Sequence, residues 1–372
     1  MNDWRQVERD AQRAVQRILT EVGVDRVESL RPGQRVRPDL AAQARAPEGT
    51  VQLAVEAKSR ITPQTAIAVC EQLRKWAPPE TIPLIYAPVI SPRVAEIAEQ
   101  LGVGYVDQAG NCRLRSAKHG LLIERRGFTS SARPPARAVD VFSPKSSRVV
   151  RALLTQPTKG WQVRGLAEHP EVGVSVGLVS KVKQALLQEG YAIQHAGLVY
   201  LRDPIGLLRD WAKVYPGPAE QVPMYFRGEA EAAERAVRDW CRDQAVAYAL
   251  AGFSAAWRLA PEVRYRVAAV YVDSQAFDDQ LLSPLGAHRG GKRVDTGPNL
   301  LLWRPYDRSV LAGCHTMGQT EMPITSAIQT FLDLKRMPGR GEEAAGAVYE
   351  KWLEREFSEA AERIREMQNA AV

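Results

Sequence analysis

Arg37-Pro38-Asp39-Leu40 and, one hairpin later, Val55-Glu56-Ala57-Lys58 set an acid, a gap, and then acid-x-base early in the chain. The second stretch lies in Val51-Gln52-Leu53-Ala54-Val55-Glu56-Ala57, whose alternation predicts a strand. Asp39 at the start of one strand and Glu56 on its neighbour can then converge on one divalent cation. Lys58, two residues past Glu56, shares its face because side chains on a strand repeat every second residue. Mg²⁺ favours hard oxygen ligands and keeps several waters, so two carboxylates suffice to hold it. Lys58 can orient or activate an attacking water and stabilise charge on phosphorus. The set suits hydrolysis of a phosphodiester. The alternative is a surface cross-strand pair, Glu56 with Lys58, and a turn at Pro38-Asp39.

Outward from this stretch, Val7, Ala11, Ala14, Val15, Ile18, Leu19 and Val22 recur at helical spacing over residues 3–22, and Gly23 ends that helix. Residues 24–30 read as a strand. Thr62-Pro63 opens a helix to about Trp76, with Thr62 as N-cap and Pro63 at its first position. The apolar run 82–87 is a buried strand, Ser91-Pro92 starts a helix to Leu101, and residues 104–107 form a strand before a turn at 108–111 and one further strand. The order α-β-β-α-β-α-β predicts an α/β domain with a partly parallel sheet over residues 1–128.

Pro38-Asp39 followed by Glu56-Ala57-Lys58 in this setting resembles the PD-(D/E)xK nuclease superfamily. The resemblance implies a restriction-endonuclease-like fold, with Asp39, Glu56 and Lys58 as catalytic residues and Asp39 and Glu56 holding Mg²⁺. Gln72 in Gln72-Leu73-Arg74-Lys75-Trp76 resembles the Gln-x-x-Tyr helix motif of some members, with the aromatic one place late and Trp for Tyr. The first-helix acid of such a site is Glu8 or Glu21.

Residues 129–145, with Ser130, Ser131, Pro134, Pro135, Ser143 and Pro144, read as a linker. Residues 146–216 follow with helices at 146–156 and 161–167, a third capped by Ser175 and running to about 189, two short strands around His195-Ala196-Gly197, and a closing helix at 207–215. This is the plan of a winged helix-turn-helix. On the third helix Leu178, Val179, Val182 and Leu186 point inward. Ser175, Ser180, Lys181, Lys183 and Gln184 lie outward or at the flank, where short polar groups and amides read base edges and lysines meet phosphates. Lys159 and Arg164 are placed to hold the backbone, and His195 sits at the wing tip. The partner expected is double-stranded DNA; a winged helix used for protein contacts is the alternative.

Residues 217–372 form a C-terminal α+β domain. A helix is expected at 229–244, helical structure after Gly252, a strand at 264–273, shorter strands at 299–303 and 310–313, and helices at 324–333 and 342–359. Ala251-Gly252-Phe253-Ser254-Ala255-Ala256 and the following strand are similar to the opening of a nucleotidyltransferase fold. The paired carboxylates such an enzyme needs are missing, since Tyr271-Val272-Asp273 supplies one acid. The domain therefore resembles a degenerate nucleotidyltransferase.

Gly104-Tyr105-Val106-Asp107-Gln108-Ala109-Gly110-Asn111, the helix-turn-helix, Thr330-Phe331-Leu332-Asp333-Leu334 and Pro338-Gly339-Arg340-Gly341-Glu342-Glu343-Ala344-Ala345 are together similar to the AbiEi family of type IV toxin–antitoxin antitoxins, in a longer form. The resemblance implies a transcriptional regulator of a bacterial toxin or phage-defence operon, with a cognate toxin or defence protein as partner. Two-fold dimers are common among such regulators, and the sequence shows no interface. Whether the nuclease-like domain also cuts DNA is left open.

Composition sets bounds on these readings. The 372 residues, 45% hydrophobic, suffice for two or three domains. No apolar run is long enough to span a membrane, and the charged N-terminus lacks a signal-peptide core, so a cytoplasmic protein is expected. Cys70, Cys112, Cys241 and Cys314 are far apart with no CxxC pair, which speaks for reduced thiols. The net charge of +7 divides as +5 over residues 1–140 (21 basic, 16 acidic), +5 over 141–215 (10 and 5) and −3 over 216–372 (19 and 22). Basic charge in the first two segments favours nucleic acid there.

Overall fold

A computed structural model describes residues 3–21, 28–30, 39–46, 49–78, 80–128, 139–277, 290–316 and 322–369. The chain forms two compact units, residues 1–137 with 187–190 and residues 138–186 with 191–372. All four cysteines are free, and Cys70, Cys112 and Cys241 are buried. Among the described residues no helix is long and apolar enough to cross a membrane.

The first unit is built from α1 (Asp3–Glu21), β1 (Glu28–Leu30), β2 (Leu40–Ala46), β3 (Gly49–Ala57), α2 (Pro63–Trp76), β4 (Thr81–Ala87), α3 (Pro92–Gln100), β5 (Gly104–Asp107), β6 (Cys112–Ser116) and β7 (Leu121–Arg125). Its seven strands lie side by side in chain order. The central pairs β3–β4 and β4–β5 are parallel, and the flanking pairs are antiparallel. Three strands thus stand between α1 and α2 where the expected order has two; β2 is the strand expected to start at Asp39, which that order leaves out. Expected residues 24–27 of the first strand, and Arg37 and Pro38, lie outside the described residues.

Alternation along β3 sorts the two faces. Val51, Leu53, Val55 and Ala57 pack with Val7, Ala11, Val15, Ile18 and Leu19 of α1. Ala54 packs with Ala66, Ile67, Cys70 and Leu73 of α2 and with α3. The start of α2 follows from its chemistry: the Thr62 side chain accepts from the Thr65 amide, the Thr65 hydroxyl reciprocates, and Pro63 occupies the first turn. The 108–111 turn is fixed by Asp107, whose Oδ1 accepts from the amides of Gly110 and Asn111 at 2.8 Å. Asn111 in turn exchanges two 2.9 Å bonds with the Phe128 backbone.

The second unit opens with α4 (Pro144–Thr155), α5 (Val163–Glu168), α6 (Val176–Gln188), the hairpin β8 (Ala192–His195) and β9 (Leu198–Leu201), and α7 (Pro204–Val214). Trp161, expected in the second helix, instead bridges Val199 and extends the hairpin sheet. The hairpin turn places Ala196 and Gly197 at positive φ, 48° and 79°, which matches the twist of the flanking strands.

A second seven-stranded sheet follows: β10 (Glu220–Phe226), β11 (Tyr248–Ala251), β12 (Ala268–Val272), β13 (Gly291–Arg293), β14 (Leu300–Arg304), β15 (His315–Thr316) and β16 (Pro323–Ile324), ordered 13-10-14-12-11-16-15. Its helices are α8 (Ala230–Asp243), α9 (Gly252–Leu259), α10 (Ala327–Leu334), α11 (Gly341–Trp352) and α12 (Glu354–Asn369). β12 is antiparallel to β11 and parallel to β14. Residues 310–313, expected as a strand, fall instead in and after the 3-10 turn Arg308–Leu311. The single helix expected at 342–359 is two, parted at Leu353.

Candidate functional site

In the first unit, Leu40 pairs with Val55, so Asp39, one residue earlier, stands beside Glu56. The Asp39 Oδ2 accepts the Ala57 amide at 2.9 Å. Lys58 Nζ donates to Glu56 Oε1 at 2.6 Å, while its backbone amide continues the sheet by donating to the Tyr86 carbonyl at 2.9 Å. The three residues of the acid–gap–acid-x-base pattern are therefore gathered at the end of β3. Burial pushes the Asp39 carboxyl up; the Ala57 amide and Lys58 oppose this, and the charges of Glu56 and Glu8 reinforce it. Of the two first-helix acids, Glu8 is thus the one whose field reaches Asp39. Glu21 is paired with Arg125 across the unit. Gln72 is exposed on α2 and makes no hydrogen bond to the three residues among the described residues.

The donor set suits a hard cation held largely by water. Glu56 Oε2 is buried without a hydrogen-bond partner, and Asp39 keeps one oxygen beyond that bonded to Ala57. Among the described residues no group of three or more His, Cys, Asp or Glu side chains gathers into a metal cage. A cation here would rest on Asp39 and Glu56 and would compete with Lys58 for Glu56.

In the second unit, α6 buries Val179, Val182, Ala185 and Leu186. Leu178, expected inward, is only half-buried, while Ala185, two turns on, is buried. Ser175, Lys181 and Gln184 are exposed, and Ser180 and Lys183 half-exposed. Ser175 Oγ accepts from the Leu178 amide at 3.3 Å, which orders the start of the helix. Lys183 reaches Gln194 of β8 at 3.4 Å and links α6 to the hairpin. His195 is exposed at the hairpin tip. Lys159 lies 3.7 Å from the centre of the Trp161 ring, and Arg164 pairs with Glu168 one turn along α5; both are exposed.

Two charged residues in this part escaped sequence reasoning. Arg148 and Arg151 on α4 look like further cations for DNA, but both turn inward. Arg148 forks onto Asp307, and Arg151 donates to Gln329 Oε1 at 2.7 Å. The signal was present: Arg148 and Arg151 border the apolar run of Val149, Val150, Ala152, Leu153 and Leu154, so both stand beside a buried stripe.

In the second sheet, the positions that resemble a nucleotidyltransferase have structural employment. Ser254 Oγ accepts from the Ala269 amide at 3.1 Å. Asp273 caps the 3-10 turn Ser274–Ala276 through the Gln275 amide at 3.0 Å. Two residues before it, Tyr271 is fully buried and donates to Asp333 Oδ1 at 2.8 Å. Tyr215 and Gln329 donate to the same oxygen at 2.9 and 2.8 Å. Burial pushes the Asp333 carboxyl up to about 7 against these three donors and the field of Arg151.

Neither a curated protein nor a solved structure matches the chain. Residues 201–354, from the last residue of β9 through the start of α12, match the family model described as "Transcriptional regulator, AbiEi antitoxin, Type IV TA system", so this part of the chain is similar to AbiEi antitoxins.

Proposed function

We propose that this protein is a DNA-binding transcriptional regulator of antitoxin type, acting on a toxin–antitoxin or phage-defence operon and partnered by a cognate toxin or defence protein. The family match over residues 201–354 carries the reading. The helices α4–α6 and the hairpin are read as a winged helix-turn-helix over residues 146–216, with 217–372 as the antitoxin-type domain. Support comes from α6, which presents Ser175, Ser180, Lys181, Lys183 and Gln184 on the side away from its buried stripe, next to a hairpin tipped by His195. Lysines there neutralise phosphates and fix register, while the amide and hydroxyls address base edges. Selection of duplexes from a random-sequence library, followed by a gel-shift titration with Lys181→Ala plus Lys183→Ala, tests it. Weakened binding with a shallower salt dependence is expected; an unchanged salt slope removes α6 as the contact.

A second reading is favoured by the convergence of Asp39, Glu56 and Lys58. The N-terminal domain, read as PD-(D/E)xK-like over residues 1–128 with the linker 129–145 behind it, then acts as a Mg²⁺-dependent DNA endonuclease directed by the winged helix. Asp39 and Glu56 would hold the ion, which would activate water, and Lys58 would stabilise the developing phosphorane charge. Incubation of duplex and single-stranded DNA with Mg²⁺ or Mn²⁺ decides it. Cleavage that Lys58→Ala abolishes while binding persists supports the reading, and intact DNA in every form removes it.

A further inference from the structure

Helix α4, the first helix of the proposed reader, is held by two of its own arginines. Arg148 Nε lies 2.9 and 3.1 Å from the two Asp307 oxygens and its Nη2 2.6 Å from Oδ2, a two-pronged pair with side chains only 13% and 6% exposed. Burial pushes the Asp307 carboxyl up, but Arg148 and the Ser309 amide and hydroxyl outweigh it and hold the group below the usual carboxylate range. Arg151, one turn on, is 2% exposed, stacks over Trp211 at 5.0 Å and donates to Gln329, whose amide nitrogen donates to both Tyr215 and Asp333. Asp307, Gln329 and Asp333 all lie in the stretch that matches the antitoxin family; the two arginines lie before it. A third tie joins α12 to the hairpin: Arg363 donates to the Thr158 carbonyl at 2.9 Å and lies 5.5 Å from the centre of the Tyr200 ring.

From α4 the grip passes onward through contacts. α4 packs against α5 and β9, β9 pairs with β8, and β8 meets α6 through Gln194 and Lys183. Two-pronged arginine–carboxylate pairs fix orientation as well as distance. Such a pair, shielded from solvent, sets the angle at which a neighbouring element is presented.

We infer that Arg148 and Arg151 are positioning residues: through Asp307 and Gln329 they lock α4 to the C-terminal sheet domain and so set the pose of the α6–hairpin surface toward duplex DNA. The inference rests on the DNA-binding reading above and adds its control. The reader is not an independent module, and whatever engages the C-terminal domain near Asp307 or Gln329 alters DNA affinity without touching DNA.

The test is a double-mutant cycle of Asp307→Asn and Arg148→Gln in the full chain, with Arg148→Lys as a milder variant. The probe is a duplex enriched by the wild-type protein from a random library, and circular dichroism verifies folding. Removing an acid makes the protein more basic, which by charge alone should tighten binding. Positioning demands the opposite: each single variant binds about tenfold more weakly, the double variant no worse than either single, and the salt slope stays at its wild-type value because no phosphate contact is lost. Arg148→Lys, which keeps charge but loses the fork, should fall between. If the wild type binds DNA and Asp307→Asn binds equally or more tightly, the inference is overturned and the reading stands. Additive losses, or a salt slope that falls with affinity, also overturn it. If the wild type enriches no duplex, the reading itself fails and the inference falls with it.

Discussion

Asp333 offers the sharpest test of how this chain is held together. Its carboxyl is wholly buried on α10, takes three hydrogen bonds on Oδ1 and leaves Oδ2 without a partner. Burial lifts it from 3.8 to about 7, which at roughly 1.4 kcal/mol per unit is on the order of 4 kcal/mol. A raised acid keeps its proton in the folded state where the unfolded chain has released it. Its contribution is therefore present below about 4 and is lost as pH rises through about 7. Asp333→Asn removes the titration but keeps the Oδ1 acceptor. It also replaces the unpartnered Oδ2 by an amide donor in the field of Arg151, a loss of roughly 1–3 kcal/mol that is independent of pH. The stability of the variant minus that of the wild type should thus climb by about 3 kcal/mol between pH 5 and pH 8, the part of the Asp333 window that lies above pH 5. Urea unfolding followed by tryptophan fluorescence measures it, with amide exchange of α10 assigning the transition to this unit. A difference that is flat across that range, or one that favours the wild type as pH rises, refutes a buried, proton-holding Asp333.

Other substitutions probe separate parts of the molecule. Lys181→Ala plus Lys183→Ala should lower the salt slope of DNA binding by roughly 0.9 per phosphate contact removed, hence by about 2, read from gel-shift titrations at several salt concentrations. Lys58→Ala should leave DNA affinity unchanged while abolishing any Mg²⁺-dependent cleavage, scored on end-labelled duplex. Gly252, the first residue of α9, holds φ +49° where the chain leaves β11, and a Cβ there would sit 2.6 Å from Met337 Sδ. Gly252→Ala should lower stability by roughly 2–4 kcal/mol, from left-handed backbone strain and overpacking together. Thermal unfolding should show partial recovery when Met337→Ala is added.

Much of the first unit was legible because its punctuation is chemical. Thr62-Pro63 gave the start of α2 and Ser91-Pro92 that of α3, since a hydroxyl cap and a proline act locally. The extent of β2 was not legible: Leu40–Ala46 is alanine-rich with no β-branched residue, so a strand starting at Asp39 was marked only by the need to bring Asp39 beside Glu56 at a metal site. β10 escaped because Pro223 sits in its middle, and proline usually excludes an interior strand. Residues 249–251 resemble the helix they precede, because small residues carry no period of their own; pairing with β12 makes them β11. The acid–gap–acid-x-base pattern was legible because strand geometry alone brings Glu56 and Lys58 together and Leu40–Val55 pairing adds Asp39. Choosing Glu8 over Glu21 was not, since both sit on α1 and only packing tells them apart.

The same lesson governs charge. Residues 141–215 carry ten basic side chains: Lys145, Arg148, Arg151, Lys159, Arg164, Lys181, Lys183, Arg202, Arg209 and Lys213. Counted as phosphate contacts, ten cations would give a salt slope near −9, since each contact contributes roughly −0.9. The fold withdraws several of them. Arg148 and Arg151 are enclosed against Asp307 and Gln329, and Lys213 pairs with Asp210 on α7. Those proposed to meet DNA are Lys159, Arg164, Lys181 and Lys183, and Arg164 already has Glu168 beside it. Three or four contacts set the slope for the proposed reader at roughly −3 to −4. A much steeper slope would mean that DNA also meets exposed cations away from this face, such as Lys145 and Arg209, before any arginine of α4 leaves its pair. Charge in a sequence is thus an upper limit on what a nucleic acid can meet; burial decides how much of it stays with the protein.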